Sequence, residues 1–86
     1  MEDRETRLKR LRLRSWRRGT KEMDLILGKF ADVYLADLSP DELDQHEILM
    51  GEPDQDLYQW ISGQVEVPAK FAGSIRRIQS KTDPKV

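Results

Sequence analysis

Gly19 separates two amphipathic stretches, and that break constrains the fold more than any other feature of the chain. Upstream, Leu8, Leu11 and Trp16 fall within one arc at helical spacing. Ser15 lies beside them, and arginines cover much of the remaining circumference. This pattern predicts a first helix over 4–17. Gly19 ends it, as suits a residue free to adopt positive φ near a helix C-terminus, and Arg17 and Arg18 stand where cations favour the helix dipole. Downstream, Met23, Ile26, Leu27, Phe30, Val33 and Tyr34 form one continuous apolar stripe and predict a second helix over 21–35. The two meet at a charged corner, Arg18-Gly19-Thr20-Lys21-Glu22. Gly28, inside the stripe, costs about 1 kcal/mol of helix propensity. Close helix–helix contact accounts for it, and exposure of backbone to a partner is the functional alternative.

The remainder of the chain carries explicit start and stop signals. Ser39 as cap, Pro40 at the first helical position and Glu42 at the capping-box position predict a third helix. Leu43, His46 and Met50 share one of its faces, and Gly51 supplies the stop. Pro53 and nearby acidic residues open a fourth helix over about 53–61, closed by Gly63. Its Leu57, Trp60 and Ile61 point inward, with Tyr58 to the side. Pro68 starts the last helix, where Phe71, Ile75 and Ile78 make a narrow apolar stripe. Residues 80–86 are expected to fray. The fold class is therefore all-α: a compact single-domain bundle of five short helices over 1–86, with a core of about 7–79 and a flexible tail at 80–86. The one competing strand pattern, Gln64–Val67, is too short to build a sheet.

Composition narrows the chemistry. Hydrophobic residues make up 37% of the chain and charged residues 36%, so the core is lean and a bound partner would add materially to stability. The absence of cysteine excludes disulfides and thiolate chemistry, and a single histidine, His46, cannot build a His-rich zinc site. No run approaches the roughly 18 apolar residues of a membrane span. No apolar region follows the basic start as in a secretory signal. A cytoplasmic protein is the simplest expectation. Charge is strongly segregated: net +5 over residues 1–22, −10 over 23–66 and +4 over 67–86. Such blocks suit steering between helices or docking to a partner with patches of both signs.

Each candidate site also has a bland explanation. The corner serves structure if glycine provides geometry and Glu22 caps the second helix while pairing with Arg18 across the turn. It serves recognition if it inserts against another protein, with Gly19 permitting close backbone approach. His46 reads as a packed or hydrogen-bonded side chain rather than a catalyst. Asp41, Glu42, Asp44 and Glu47 read as a solvated helix face, and Asp54 and Asp56 as residues serving the start of the fourth helix. Trp16 and Trp60 read as packing groups, with a partner surface as the alternative. Arg4, Arg7, Lys9, Arg10, Arg12, Arg14, Arg17 and Arg18 would attract phosphates if left uncovered. A small nucleic-acid-binding regulator using the first helix is thus the alternative function.

The segment Trp16-Arg17-Arg18-Gly19-Thr20-Lys21-Glu22-Met23-Asp24-Leu25 resembles the core motif of the succinate dehydrogenase assembly factor family. The similarity continues through Leu27-Gly28-Lys29-Phe30. It returns in Asp54-Gln55-Asp56-Leu57-Tyr58-Gln59-Trp60-Ile61, which looks like the family's second segment, so that it spans about residues 7–79. The resemblance implies a five-helix assembly factor, not an enzyme. Its partner would be the flavoprotein subunit of succinate dehydrogenase, with fumarate reductase as a further client, and no membrane. It would promote covalent attachment of FAD to the subunit's own histidine. No catalytic or metal-binding residue and no stably bound cofactor is implied for this chain; FAD is delivered to, or already held by, the partner. Matched residue by residue, Arg18, Gly19 and Glu22 are the motif positions expected at that interface, and Arg17, Trp16 and Asp24 complete the partner-binding set. The resemblance assigns Gly19 close approach, Arg18 a charge-assisted contact, and Glu22 a contact or support of the corner. Lys21 departs from the pattern by placing a positive charge inside the corner.

Overall fold

Asp3 opens the first helix, α1 (Arg4–Trp16), by accepting the Thr6 N–H at 2.7 Å. This satisfies one of the amides left free at a helix start. The computed structural model describes residues 2–81. α1 closes one residue short of the expected end, with Arg17 as its C-cap, and Gly19 takes φ +104°. That left-handed conformation is costly for any residue with a Cβ. Thr20 then caps α2 (Lys21–Tyr34), its hydroxyl accepting the Met23 N–H at 3.3 Å. α2 tightens into a 3-10 turn over Leu35–Asp37.

α3 (Pro40–Leu49) has the expected reciprocal box. Ser39 Oγ accepts the Glu42 N–H at 3.2 Å, and the Glu42 carboxylate accepts the Ser39 N–H at 2.8 Å. α4 (Asp54–Ile61) ends at Gly63, φ +81°. There the Gly63 N–H meets the Trp60 carbonyl and the Gln64 N–H reaches the Gln59 carbonyl at 2.9 Å, the double closure of a Schellman ending. Pro68 leads into a 3-10 turn (Ala69–Phe71), and only then does α5 (Ala72–Lys81) begin. Ser80 and Lys81, expected to fray, are helical; 82–86 of that expected tail lie outside the described residues. The five-helix, all-α expectation holds.

The core lies on two sides of α2. One cluster gathers Met23, Ile26, Leu27 and Phe30 with Leu49, Met50, Leu57, Trp60, Phe71, Ile75 and Ile78. The other joins Leu11 of α1 to Ala31, Leu35, Leu38 and Leu43. Because α2 buries its Gly28–Ala31 side as well as its stripe, its covered arc is rotated away from Val33. Val33, expected in the stripe, is 62% exposed. The cause is the small residue on the facing side. A Cβ on Gly28 would overlap the six-membered ring of Trp16, so the indole lies directly on the α2 backbone. Its Nε1–H is shared between the two carboxylate oxygens of Asp32, one turn further along, at 3.1 Å each. Close helix contact thus accounts for Gly28.

α1 meets α3 through charge. Arg7 binds Asp44 at 2.7 Å and Glu47 at 3.1 Å, Arg10 binds Glu47 at 3.1 Å and Glu2 at 2.8 Å, and Arg4 donates to the carbonyls of Ala36 and Leu38. The acidic face of α3 is therefore an internal counterpart to the arginines of α1 as well as a solvated surface. Singly such pairs are worth little; linked through Glu47 they fix the register of the two helices.

His46 is buried among these elements. Its ring stacks on Phe30 with centroids 5.5 Å apart, and its Nε2 has no hydrogen-bond partner among the described residues. Burial first, and then the charges of Arg77, Arg14 and Arg18, push its pKa down to about 4.

Two outcomes are expected. Gly28→Ala gains about 1 kcal/mol of helix propensity but displaces Trp16, and overpacking of about 1–3 kcal/mol outweighs the gain. Urea unfolding should show net destabilisation, with a red-shifted tryptophan emission in the native state. For His46, the charged form is penalised only in the folded state. Above pH 6.5 both states are neutral there and the residue adds no pH dependence. Between pH 6.5 and about 4 the unfolded chain takes up a proton that the folded chain refuses, so stability falls. The loss from this residue is on the order of 3 kcal/mol. In His46→Leu that part of the acid limb should vanish, as read by urea midpoints across the same pH range.

Candidate functional site

The corner between α1 and α2 is held from within by Arg18. Its side chain is only 11% exposed and all three guanidinium nitrogens are engaged. Nε donates to Asp54 Oδ1 at 2.7 Å, Nη1 to the Met50 carbonyl at 2.6 Å, and Nη2 to the Glu52 carbonyl at 2.8 Å. The end of α3 leaves carbonyls without helical partners, and a planar fork can satisfy two of them while still reaching a carboxylate. Asp24 completes the arrangement by accepting the Arg18 backbone N–H at 2.6 Å. The expected Arg18–Glu22 pairing across the turn is replaced by Arg18–Asp54, because the side chain turns toward α3 and α4.

The expected site residues thus divide into two sets. Trp16, Arg18 and Asp24 are partly buried and committed to intramolecular bonds. Arg17, Gly19 and Glu22 are exposed. Around Gly19 a Cβ would meet nothing within 4 Å, so its open face is limited only by its backbone conformation. The Glu22 carboxylate, in the first turn of α2, has no partner among the described residues, and Thr20 rather than Glu22 provides the side-chain cap.

Beside Glu22 runs a groove of about 430 Å³ between the first turns of α2 and α4, lined by Thr20, Glu22, Met23, Asp54, Gln55 and Tyr58. Tyr58 is 42% exposed there. The charge–charge role of Asp54 and this groove were not anticipated. Their signal was present only as the second motif segment, which begins at Asp54 and is carried to the corner by the fold. Asp54, read as serving the start of α4, makes no side-chain cap there; Pro53 occupies the cap position without one.

The arrangement offers position and charge. Among the described residues no group of three or more His, Cys, Asp or Glu side chains could hold a metal ion. His46 is shut inside the core, away from solvent. The nucleic-acid alternative loses its footing as well. Arg4, Arg7, Arg10, Arg14 and Arg18 all bind acidic side chains or backbone carbonyls of the same chain. A phosphate backbone would have to displace those partners.

The family model described as flavinator of succinate dehydrogenase matches residues 9–82. Similar relatives are named succinate dehydrogenase assembly factor 2, mitochondrial. The one from Mycosarcoma maydis is 41% identical over 73 residues, covering 85% of this chain and 31% of the relative. That from Meyerozyma guilliermondii is 42% identical over 66 residues, covering 77% and 49%. That from Dictyostelium discoideum is 34% identical over 79 residues, covering 88% and 56%. The chain therefore spans about a third to just over half the length of these relatives. Their mitochondrial names overturn the expectation of a cytoplasmic protein, which rested on the lack of an apolar leader or span. No described helix is long and apolar enough to cross a membrane, but that property does not specify a compartment. The matched segment contains both motif segments, the corner they form, most of α1 and all of α2 to α5: the chain belongs to the flavinator of succinate dehydrogenase family.

Proposed function

We propose that this chain binds the flavoprotein subunit of succinate dehydrogenase, with fumarate reductase as a further client, and promotes covalent attachment of FAD to a histidine of that subunit. The observation that carries this reading is the family match across both motif segments, joined in space by the Arg18–Asp54 bond. The bond-forming chemistry belongs to the flavin and the client. This chain contributes a shaped surface that favours an assembly-competent arrangement of the client.

Within that reading the six motif residues divide their roles. Gly19 allows the client's backbone or side chains to approach the corner closely, since nothing projects from it. Glu22 and Arg17 offer opposite charges on either side of the glycine, both exposed. Arg18, Asp24 and Trp16 support the corner from behind. For Arg18 this replaces the direct contact that the motif suggests, because its guanidinium is turned inward, 11% exposed, and each of its nitrogens already donates within the chain.

These roles predict different signatures. Glu22→Ala should leave the urea midpoint nearly unchanged while lowering covalent flavin on the co-expressed client by about tenfold or more, the scale expected when one contact of a docking surface is lost. Gly19→Arg should stay folded, losing about 1–2 kcal/mol for a side chain at positive φ, and should abolish flavinylation by occupying the open face. Arg18→Lys should lower stability and flavinylation together, by about 2 kcal/mol in the first, because an ammonium cannot span two carbonyls and a carboxylate. In-gel flavin fluorescence of the denatured client, beside urea titrations of each variant, reads both quantities. Full flavinylation with Gly19→Arg and Glu22→Ala would refute the assigned surface.

A further inference from the structure

We propose that the groove between the first turns of α2 and α4 is a second part of the docking surface, built to receive an arginine side chain of the flavoprotein. This rests on the function proposed above and adds two residues outside the six assigned to partner binding, Tyr58 and Gln55.

Three observations converge on the groove. Its volume, about 430 Å³, is ample for one long side chain with its flanking backbone. Its lining pairs apolar surface with unspent negative charge. Tyr58 exposes a ring at one wall, Met23 lies at the base, and Glu22 holds a carboxylate at the rim with no partner among the described residues. Asp54, the other carboxylate in the lining, is already neutralised by Arg18 at 2.7 Å, so Glu22 sets the local sign. Finally, the groove is continuous with the corner, since Thr20 and Glu22 belong to both.

An arginine fits this chemistry better than other side chains. Its aliphatic stem lies along apolar surface, its plane stacks on a tyrosine face, and its fork meets a carboxylate in a bidentate manner. An acidic side chain would meet Glu22 with like charge, and a purely apolar one would bury that carboxylate unpaired.

The test measures affinity of the full chain for the purified flavoprotein subunit at low and high salt. Tyr58→Ala removes the stacking wall, and Gln55→Lys places a competing cation in the lining. Gln45→Lys, on the exposed side of α3, controls for the change in net charge. Tyr58→Ala should weaken binding about tenfold, the usual scale for an aromatic anchor. Gln55→Lys should weaken it at least as much at low salt and recover partly at high salt, because repulsion is screened. Gln45→Lys should bind as the parent does. Both groove residues are at least partly exposed, so circular dichroism and urea midpoints should hold for all three variants. If Tyr58→Ala and Gln55→Lys bind normally while Gly19→Arg does not, the groove proposal is overturned and the corner stands. If Gly19→Arg also binds and supports flavinylation normally, the proposed function itself fails and the groove proposal with it.

Discussion

One guanidinium ties the molecule together. Arg18 belongs to the link after α1, takes its backbone restraint from Asp24 in α2, and donates to the end of α3, the following turn and the start of α4. One residue therefore joins four helices, following α1 in the chain, bonded through its backbone to α2 and through its side chain to the end of α3 and the start of α4. Burying an arginine is costly unless its donors find acceptors, and here each of the three nitrogens makes a bond. The need to satisfy that group fixes where α3 stops relative to the corner, and hence where α4 can begin. The groove beside Glu22 is a by-product of the same constraint, since it is the space left between two helix starts held apart by a bonded pair.

The alternation of basic and acidic blocks finds its explanation in the packing of α1 against α3. A small domain with a lean core can use such blocks to choose among helix arrangements, because a wrong register would set like charges together. The cost in cohesion is modest, since most of these pairs remain partly solvated. Charge that looks in the sequence like an invitation to a polyanion is, in the folded chain, mostly answered from within.

Elements whose information is local were legible from the sequence. The Ser39–Glu42 box, the glycine stops at 19 and 63 and most of the stripe of α2 each depend on residues within about two turns, and each is found where expected, Val33 excepted. What depends on residues far apart was not. Arg18 and Asp54 are separated by 36 positions, and nothing near either one announces the other. Val33 was misplaced for a related reason. Helical periodicity defines an arc, but the neighbour decides how far that arc is rotated, and the neighbour here is a tryptophan seated on a glycine. Of the candidate site, the corner could be located from the sequence, whereas the division between residues facing outward and those turned inward required the fold.

That seating of Trp16 has an implication for recognition. The indole is fastened to α2 through Gly28 and Asp32, and two residues later Arg18 is fastened to α3 and α4. The link between the helices is therefore clamped on both sides of Arg17, and its shape is set during folding rather than on encounter. A surface prepared in this way gives up little freedom when it docks, so even a small contact area can hold a partner long enough for slow chemistry to finish. On the proposed function, loosening the tryptophan would shorten that residence while leaving every outward-facing atom chemically the same.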